Sequence, residues 1–254
     1  MSKTFKIILI IFLSLITIAL TVVLVIGLIK KPKLFSNEPY ELVINENYEN
    51  EFEIINIKST AGEIIVKNSN EDNIRVKIYG NESTSSVNKE NNILNISELG
   101  NKCKYFCINN KLSKIEVEIP KDYDKKINIT NNFGDIEVSK FDKAILSITE
   151  NAGDVKIDSG YDIEVVNNLG EIEISNVFNY LKVKENAGNV KINNLSIKKD
   201  SFISNDLGNI EVNSINEVFV DAKADIGKVD VNNKYRDSEI TLKIENRLGN
   251  ITVR

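Results

Sequence analysis

Three acidic side chains, Asp135, Asp154 and Glu171, each directly follow a glycine in successive copies of one short repeated phrase. If the copies stack, neighbouring carboxylates lie about 5 Å apart and repel one another unless a cation lies between them. Oxygen ligands of this kind suit Ca²⁺, so these residues are the candidate metal site. The same column continues as Asn189, Asn209, Lys228 and Asn250. Because a lysine interrupts any row of anionic ligands, we favour solvated turn residues and predict no bound metal and no cofactor.

The same three acids are also the best candidates for catalysis. Glycan-cleaving sites need clustered carboxylates, with a base or a bound cation, on one face of the protein. The chain contains no histidine, and an exposed row of turn acids matches this requirement poorly. We therefore predict no catalytic residues and a protein that is not an enzyme, with a glycan-active enzyme kept as the third functional hypothesis.

The chain has two cysteines, Cys103 and Cys107, four positions apart. A structural zinc site needs about two more Cys or His ligands, and the sequence has none. The pair either closes a small disulfide in an exported domain or stays reduced in a loop. In both cases its role is structural.

The elements that position these residues are copies of a glycine-centred phrase, clearest in Asn168–Ile174. The repeat glycines from 134 onward are separated by 19, 17, 18, 20, 19 and 22 residues. They are Gly134, Gly153, Gly170, Gly188, Gly208, Gly227 and Gly249, with an outlying copy at Gly62. A fixed period near 20 residues indicates a solenoid or repeat array.

Each glycine is followed by a strand with one dry and one wet face. The residues two and four positions after the glycines from 134 onward are always Ile or Val, and the residue between them is always polar, which is a strand pattern of period two. A second, looser strand precedes each glycine, as in Ile163 and Val165. An Asn/Asp-x-Gly corner joins the two strands in most copies. Asparagines at these corners could form an internal ladder, bonding from copy to copy, or serve only the turn.

The polar position between the two apolar columns decides how the copies meet. Its residues alternate in charge from copy to copy, through Glu137, Lys156, Glu173, Lys191 and Glu211. This alternation is favourable if equivalent strands are direct neighbours, and it has no purpose in an array of hairpins. We therefore predict an all-β fold, a single-stranded parallel β-solenoid (β-helix) of roughly 20-residue coils.

The solenoid is predicted to occupy residues 51–254, with an irregular excursion at 81–114. From Lys126 the coils run to Arg254 without a capping helix. Because solenoids normally cover their terminal edges, we expect the C-terminal coil either to be blunted by Arg247 and Arg254 or to self-associate with another molecule.

The stretch Ile7–Ile29 contains 23 residues and no charge, enough for one N-terminal transmembrane helix. It is long for a signal-peptide h-region, and no small-x-small cleavage site follows it. Residues 1–6 then form a short cytoplasmic tail and 30–50 a juxtamembrane linker. Lysines flank the helix on both sides, so the charge count is nearly balanced. We predict a single-pass protein of the cell membrane with its N-terminus inside and its C-terminal domain extracellular.

The net charge of −5 is unevenly distributed, because residues 1–37 contain five lysines and no acid. The remainder carries 27 basic and 37 acidic residues. An acidic exterior of this kind argues against nucleic acid as a partner.

Three features together resemble a known family: the single membrane helix, the stretch Val117–Val138 with its I-N-I-T-N-N-F-G-D-I-E-V segment, and the tandem G-[DEN]-[IV]-x-[IV] coils. The chain is similar to the bacterial "putative adhesin" domain family of unknown function, whose repeats form a β-helical "toast-rack" domain. The resemblance covers about residues 50 to 254 and implies a non-enzymatic cell-envelope protein. Some relatives are encoded beside membrane-stress systems. No functional residues carry over.

Two functional hypotheses precede the enzyme. The first is a membrane-anchored extracellular solenoid with an adhesion or cell-envelope interaction role, whose partner is an envelope protein or a surface glycan. The second is an accessory or sensor component of an envelope-stress system. If binding occurs, the flat wall of alternating Glu and Lys is the expected surface.

Overall fold

The computed structural model describes residues 41–100, 113–232 and 235–254. The described residues form strands and turns, without a helix long and apolar enough to cross a membrane. The predicted tail at 1–6, the predicted helix at 7–29, Cys103 and Cys107 all lie outside the described residues.

Eighteen strands make one mixed sheet in the described chain. They are β1 Leu42–Glu49, β2 Ile54–Ser59, β3 Gly62–Ser69, β4 Asn73–Tyr79, β5 Ser85–Glu90, β6 Ile93–Glu98, β7 Ser113–Pro120, β8 Lys126–Asn131, β9 Ile136–Glu150, β10 Val155–Leu169, β11 Ile172–Ala187, β12 Val190–Leu195, β13 Ser201–Leu207, β14 Ile210–Val212, β15 Phe219–Ile226, β16 Val229–Val231, β17 Thr241–Leu248 and β18 Ile251–Val253.

Each coil has two strands joined at a glycine corner, and the coils build two walls. The leading wall contains the strands before the corners, in the order β5, β6, β2, β8, the second halves of β9 to β11, β13, β17 and β15. The trailing wall contains the strands after the corners, in the order β1, β4, β7, β3, the first halves of β9 to β11, β12, β14, β18 and β16.

Equivalent strands of neighbouring coils pair parallel and in register, as the charge alternation predicted. Lys156 pairs with Glu137 on one side and with Glu173 on the other, and Glu173 pairs with Lys191. Of these partners, Lys191 and Glu173 come within 3.3 Å of each other. The alternating charges of this Glu/Lys column therefore indicate the strand register, whereas each exposed ion pair contributes little to stability.

The core lies between the two walls. Inward positions alternate with outward ones, and the inward column holds Ile, Val and Leu that are almost completely buried, among them Ile157, Ile174 and Val190. The β-branched residues suit this pleated, close-packed interior. The Ile/Val columns seen in the sequence are thus the core.

The order of coils departs from the order of the chain at both ends. The coil β17–β18 lies between the coils β13–β14 and β15–β16. Likewise, β2–β3 lies between β6–β7 and β8–β9. The expectation that the C-terminal coil ends the stack, blunted by Arg247 and Arg254 or paired with another molecule, is therefore wrong, because Thr241–Val253 has a strand on each side. Phe219–Val231 forms that end of the described stack instead.

The opposite end is covered by antiparallel strands, so the sheet is mixed and not purely parallel. Strand β1 pairs with β4, β4 pairs with β7, and β5 forms a hairpin with β6. The predicted excursion at 81–114 is corrected over residues 85–98 by β5 and β6, in which Leu94 and Ile96 are buried; Asn/Ser-rich neighbours on the outer face had obscured their alternation. Residues 101–112 of that stretch lie outside the described residues. The predicted linker at 30–50 likewise overlaps β1, which is the outermost strand of the trailing wall at this end.

Candidate functional site

The edge of the stack where the glycine corners lie brings the candidate residues together. Successive glycines superpose along this edge: a Cβ added to Gly170 would lie 2.0 Å from the carbonyl oxygen of Gly153, and one added to Gly188 would lie 1.5 Å from that of Gly170. Each corner therefore lies directly against the backbone of its neighbour. Only glycine permits this approach, and Gly170 also has φ of +144°.

The acids after the glycines are engaged in bonds between coils. Asp135 Oδ1 accepts the backbone N–H of Asp154 at 3.0 Å, and Asp154 Oδ1 accepts that of Glu171 at 2.8 Å. Glu171 Oε1 in turn accepts the side-chain amide of Asn189 at 3.0 Å. In the described residues, no group of three or more His, Cys, Asp or Glu is arranged to hold a metal. The geometry supports the interpretation of these acids as turn residues that begin a strand.

The corner asparagines form a ladder. Asn168 Nδ2 donates to Asn151 Oδ1 at 2.8 Å, and Asn186 Nδ2 donates to Asn168 Oδ1 at 2.7 Å. These side chains are exposed, so the ladder is external and not internal as expected. Of the two alternatives for the asparagines, bonding from coil to coil is what the structure shows, and it aligns the corners along the stack.

A second column of polar residues, one position before the corner, is buried. In stack order its members are Glu98, Ser59, Asn131, Glu150, Asn167, Glu185, Asn205 and Asn246. Sequence reasoning missed this column because Asn and Glu beside a turn suggest solvent exposure. The available signal was parity: Glu150 follows the inward residues Leu146 and Ile148 at the same period of two.

The buried asparagines complete the glycine corners. Asn167 Nδ2 donates to the carbonyl oxygen of Gly153 at 3.1 Å, and Asn205 Nδ2 donates to that of Gly188 at 2.8 Å. Asn205 Oδ1 also accepts the N–H of Leu207 at 3.2 Å. The amide thus satisfies backbone groups of two coils at once, as buried polar groups require.

The buried glutamates fill the same column without an N–H donor. Glu185 Oε1 accepts the backbone N–H of Ala187 at 3.0 Å, and Glu150 Oε1 accepts those of Asn151 and Ala152, both at 3.0 Å. Among the described residues, the Oε2 atoms of Glu150 and Glu185 are buried without a hydrogen-bond partner. Burial disfavours the charged form, which raises the pKa of Glu150 and raises the pKa of Glu185 to about 7.

This pKa shift predicts a pH-dependent stability that Glu185→Gln removes. Because the folded pKa of Glu185 is about 7 against an ordinary 4.5, the folded state holds the proton more tightly, and stability falls as pH rises from about 4.5 to 7. Glutamine keeps the acceptor for Ala187 and supplies an N–H for the adjacent glycine carbonyl, as Asn167 does. We expect the variant to be more stable than wild type by up to roughly 3 kcal/mol at pH 8, with the difference vanishing near pH 4.5.

Urea unfolding at several pH values measures this difference. Glu164→Gln is the matched control, because Glu164 is exposed on β10, the strand next to the one that holds Glu185. It should show no such dependence. A stability difference for Glu185→Gln that does not change with pH would contradict the assignment.

Beyond the polar columns, the middle residue of each corner forms an exposed apolar ridge. We define the turn ridge as Phe133, Leu169, Leu207, Leu248 and Ile226, which are 53, 61, 53, 47 and 67% exposed. Alanines 152 and 187 separate the first three, whereas Leu207, Leu248 and Ile226 are on adjacent coils. Asparagines and acids flank the ridge, so one edge of the stack combines apolar contact with hydrogen-bonding groups. Sequence reasoning did not single out this column.

Three solved structures illustrate what the chain is similar to. A "putative cell adhesion protein" from Clostridium sporogenes is 18% identical, with a TM-score of 0.42 over 85% of this chain and 99% of that one. A "putative adhesin" from Bacteroides fragilis is 14% identical, with a TM-score of 0.37 over 84 and 97% of the two chains. A "Putative lipid binding protein" from Parabacteroides distasonis is 15% identical, with a TM-score of 0.31 over 85 and 98%. No curated protein matches the chain.

A family model described as Toastrack DUF4097 matches residues 52–254. This match confirms the resemblance seen in the sequence, and it spans all the repeat glycines from Gly62 to Gly249. The chain therefore belongs to the Toastrack DUF4097 family.

Proposed function

We propose that this chain is a non-enzymatic, membrane-anchored extracellular module that acts in adhesion or in contacts within the cell envelope. The observation that carries the proposal is the turn ridge. Large aliphatic and aromatic side chains are exposed along one edge of an otherwise acidic domain, and Leu207, Leu248 and Ile226 are contiguous there. Contiguous apolar surface with a polar rim is typical of interaction sites.

The chemistry of the rim indicates what a partner offers. On one side of the ridge run Asn151, Asn168 and Asn186, whose amides bond one another. On the other side run Asp135, Asp154 and Glu171. A partner that covers both sides presents apolar patches with hydroxyl, amide or cationic groups, as an envelope protein or a surface glycan does. An anionic polymer such as nucleic acid is disfavoured.

The proposed location rests on the sequence. The uncharged stretch Ile7–Ile29 supports a single membrane pass, and we place the N-terminus inside the cell and the coils outside. Protease treatment of intact cells tests this orientation: we expect digestion of an epitope tag after Arg254, and full protection of the tag would overturn it.

The interaction role predicts that polar substitutions on the turn ridge weaken binding. We expect Leu169→Asn combined with Leu207→Asn to reduce binding of the full-length chain to isolated envelope material by about tenfold or more, because two exposed apolar anchors are lost. Binding is measured by co-sedimentation with purified cell-wall sacculi and, separately, with membrane vesicles. The fold should persist, because both side chains face solvent.

A matched control comes from Ile145→Asn, which alters a residue that is 39% exposed and lies five positions before Glu150, at the end of the leading wall away from the corners. We expect it to bind like wild type. Equal binding by wild type and the double variant to both materials would count against the ridge as the adhesive surface.

One observation favours the second candidate, a sensor of envelope stress. The pKa of Glu185 near 7 and the raised pKa of Glu150 make the stability of the stack respond to external acidity. The same pH titration of wild type and Glu185→Gln described above tests the physical basis of this role. An enzymatic role would require measurable glycan turnover that Asp154→Asn abolishes.

A further inference from the structure

The two ends of the stack differ in how they are finished. The antiparallel strands β1, β4 and β5 cover one end. At the other end, the coil β15–β16 has a strand neighbour on one side only within the described part of the chain, namely β17 and β18. The middle of this end coil therefore presents backbone groups that further strands could pair with.

The inward side chains of the end coil are small and apolar. Ala224 occupies the column that elsewhere holds buried Asn, Glu or Ser, and Ala222 occupies the column of Ile244. On the trailing wall, Val229 is 40% exposed although its equivalents are buried. The end coil thus lacks the polar side chains that complete the corners elsewhere, and it exposes a flat apolar strip between its two strands.

The outward charges of the end coil follow one pattern on both walls. The leading wall carries the triplet Lys223-Ala224-Asp225, and the trailing wall carries Lys228-Val229-Asp230. All four charged side chains are exposed. Ala224 and Val229 face each other across the core, because they are the inward residues on either side of the same corner.

This pattern is complementary to itself. Suppose that a second molecule pairs antiparallel about a two-fold axis that passes midway between the two copies of Ala224 and midway between the two copies of Val229. Each lysine then lies directly opposite an aspartate of the other molecule on both walls. The same register places Ile226, the most exposed residue of the turn ridge, opposite the small Ala222 of the other molecule. A pairing shifted by two residues toward Lys223 would place Lys223 opposite itself and lose this match.

We propose that the end coil β15–β16 is a docking surface for a second copy of this chain, joined edge to edge by antiparallel strand pairing centred on Ala224 and Val229. Both walls continue across the junction, and the apolar strip of each molecule covers that of the other. Charged residues also serve to block open sheet edges, so a monomer protected by its charges is the competing outcome.

Cysteine cross-linking tests the two-fold register. In the full-length chain with Cys103→Ser and Cys107→Ser, purified in detergent, we expect Ala224→Cys to form a disulfide-linked dimer under mild oxidation. Residues opposite each other in an antiparallel pair have Cα atoms about 4.5 to 5.5 Å apart, within disulfide range. Lys156→Cys, exposed in the middle of the stack, is the matched control and should stay monomeric. Equal cross-linking at both positions, or at neither, would overturn the proposal.

A charge swap tests complementarity independently of the cysteines. We expect Asp225→Lys to weaken dimerisation by about tenfold or more in sedimentation velocity, because it creates two like-charge pairs across the axis. Adding Lys223→Asp restores opposite charges, and the double variant should dimerise within about threefold of wild type. The membrane helix is common to all variants, so it does not produce this pattern. A dimer that is indifferent to Asp225→Lys, or a chain monomeric at every concentration, would refute edge-to-edge docking.

Discussion

Replacing Val190 with aspartate is expected to unfold the central part of the stack. Val190 is buried on β12 between its equivalents Ile172 and Ile210, so the new carboxylate would have no ionic partner in the column. Burying an unpaired charge costs more than about 4 kcal/mol, which is comparable to the whole stability of many domains. We expect loss of the strand signal in far-UV circular dichroism at 25 °C, or a large fall in the urea midpoint.

The neighbouring residue supplies the control. Lys191 lies in the same strand on the wet face, and its ammonium is 3.3 Å from Glu173 in a pair whose side chains are 49 and 41% exposed. Because such surface pairs contribute little, Lys191→Ala should change the free energy of unfolding by less than about 0.5 kcal/mol. Similar losses from both substitutions would mean that the two faces of the strand have been assigned wrongly.

Replacing Gly170 with alanine is the second large effect. The added methyl group would lie 2.0 Å from the carbonyl oxygen and 2.6 Å from the carbonyl carbon of Gly153. Both atoms belong to the backbone of the adjacent coil, so no side chain can move aside to relieve the collision. The positive φ of Gly170 adds strain for any L-residue. We expect a loss of more than about 3 kcal/mol in urea unfolding.

Two further alanine variants separate the causes. The φ of Gly188 lies outside the range of +20° to +160°, but a carbonyl oxygen lies 1.5 Å from its added Cβ, so Gly188→Ala measures the collision alone and should also be severe. Gly100 meets only side-chain oxygens of Glu98, at 3.7 and 3.8 Å, and Gly100→Ala should be nearly neutral. If Gly170→Ala were as mild as Gly100→Ala, the corners would not be in close contact in solution.

The coil itself could be predicted because its information is local. Two β-branched columns at fixed distances from each glycine define the dry face, and the sign changes along Glu137, Lys156 and Glu173 define the register. These patterns depend only on which strand faces lie together, and the structure has them as expected.

The order of the coils could not be predicted because all coils offer similar surfaces to their neighbours. The strand β17 presents Leu242 and Ile244 to Ser201 and Ile203 on one side, and to Val220 and Ala222 on the other. Nothing in these columns states that β17 precedes β15 in the stack. Proximity along the chain favoured a stack in sequence order, whereas the connection between β16 and β17 is long enough to let β17 lie between β13 and β15.

The buried polar column was hidden for a related reason. Glu150 and Glu185 stand beside Asn/Asp-x-Gly corners, where polar residues are ordinarily solvated, and residue type alone cannot distinguish a carboxylate in water from one among backbone amides. The turn ridge was obscured in the same way, since a single exposed leucine is unremarkable in any one copy. Only the superposition of copies shows that Leu207, Leu248 and Ile226 lie side by side.

The coil Thr241–Val253 is inserted between the coils β13–β14 and β15–β16, so this end of the stack is not built in the order of the chain. A linear repeat array can fold unit by unit as it is synthesised, and it frays from its tip. Here Phe219–Val231 rests on strands that come later in the chain, so it cannot reach its final neighbours until the ribosome has passed Val253. A mechanical load applied at Val253 would likewise pull on a strand pair held on both flanks, so the coil Thr241–Val253 would resist being peeled from the stack.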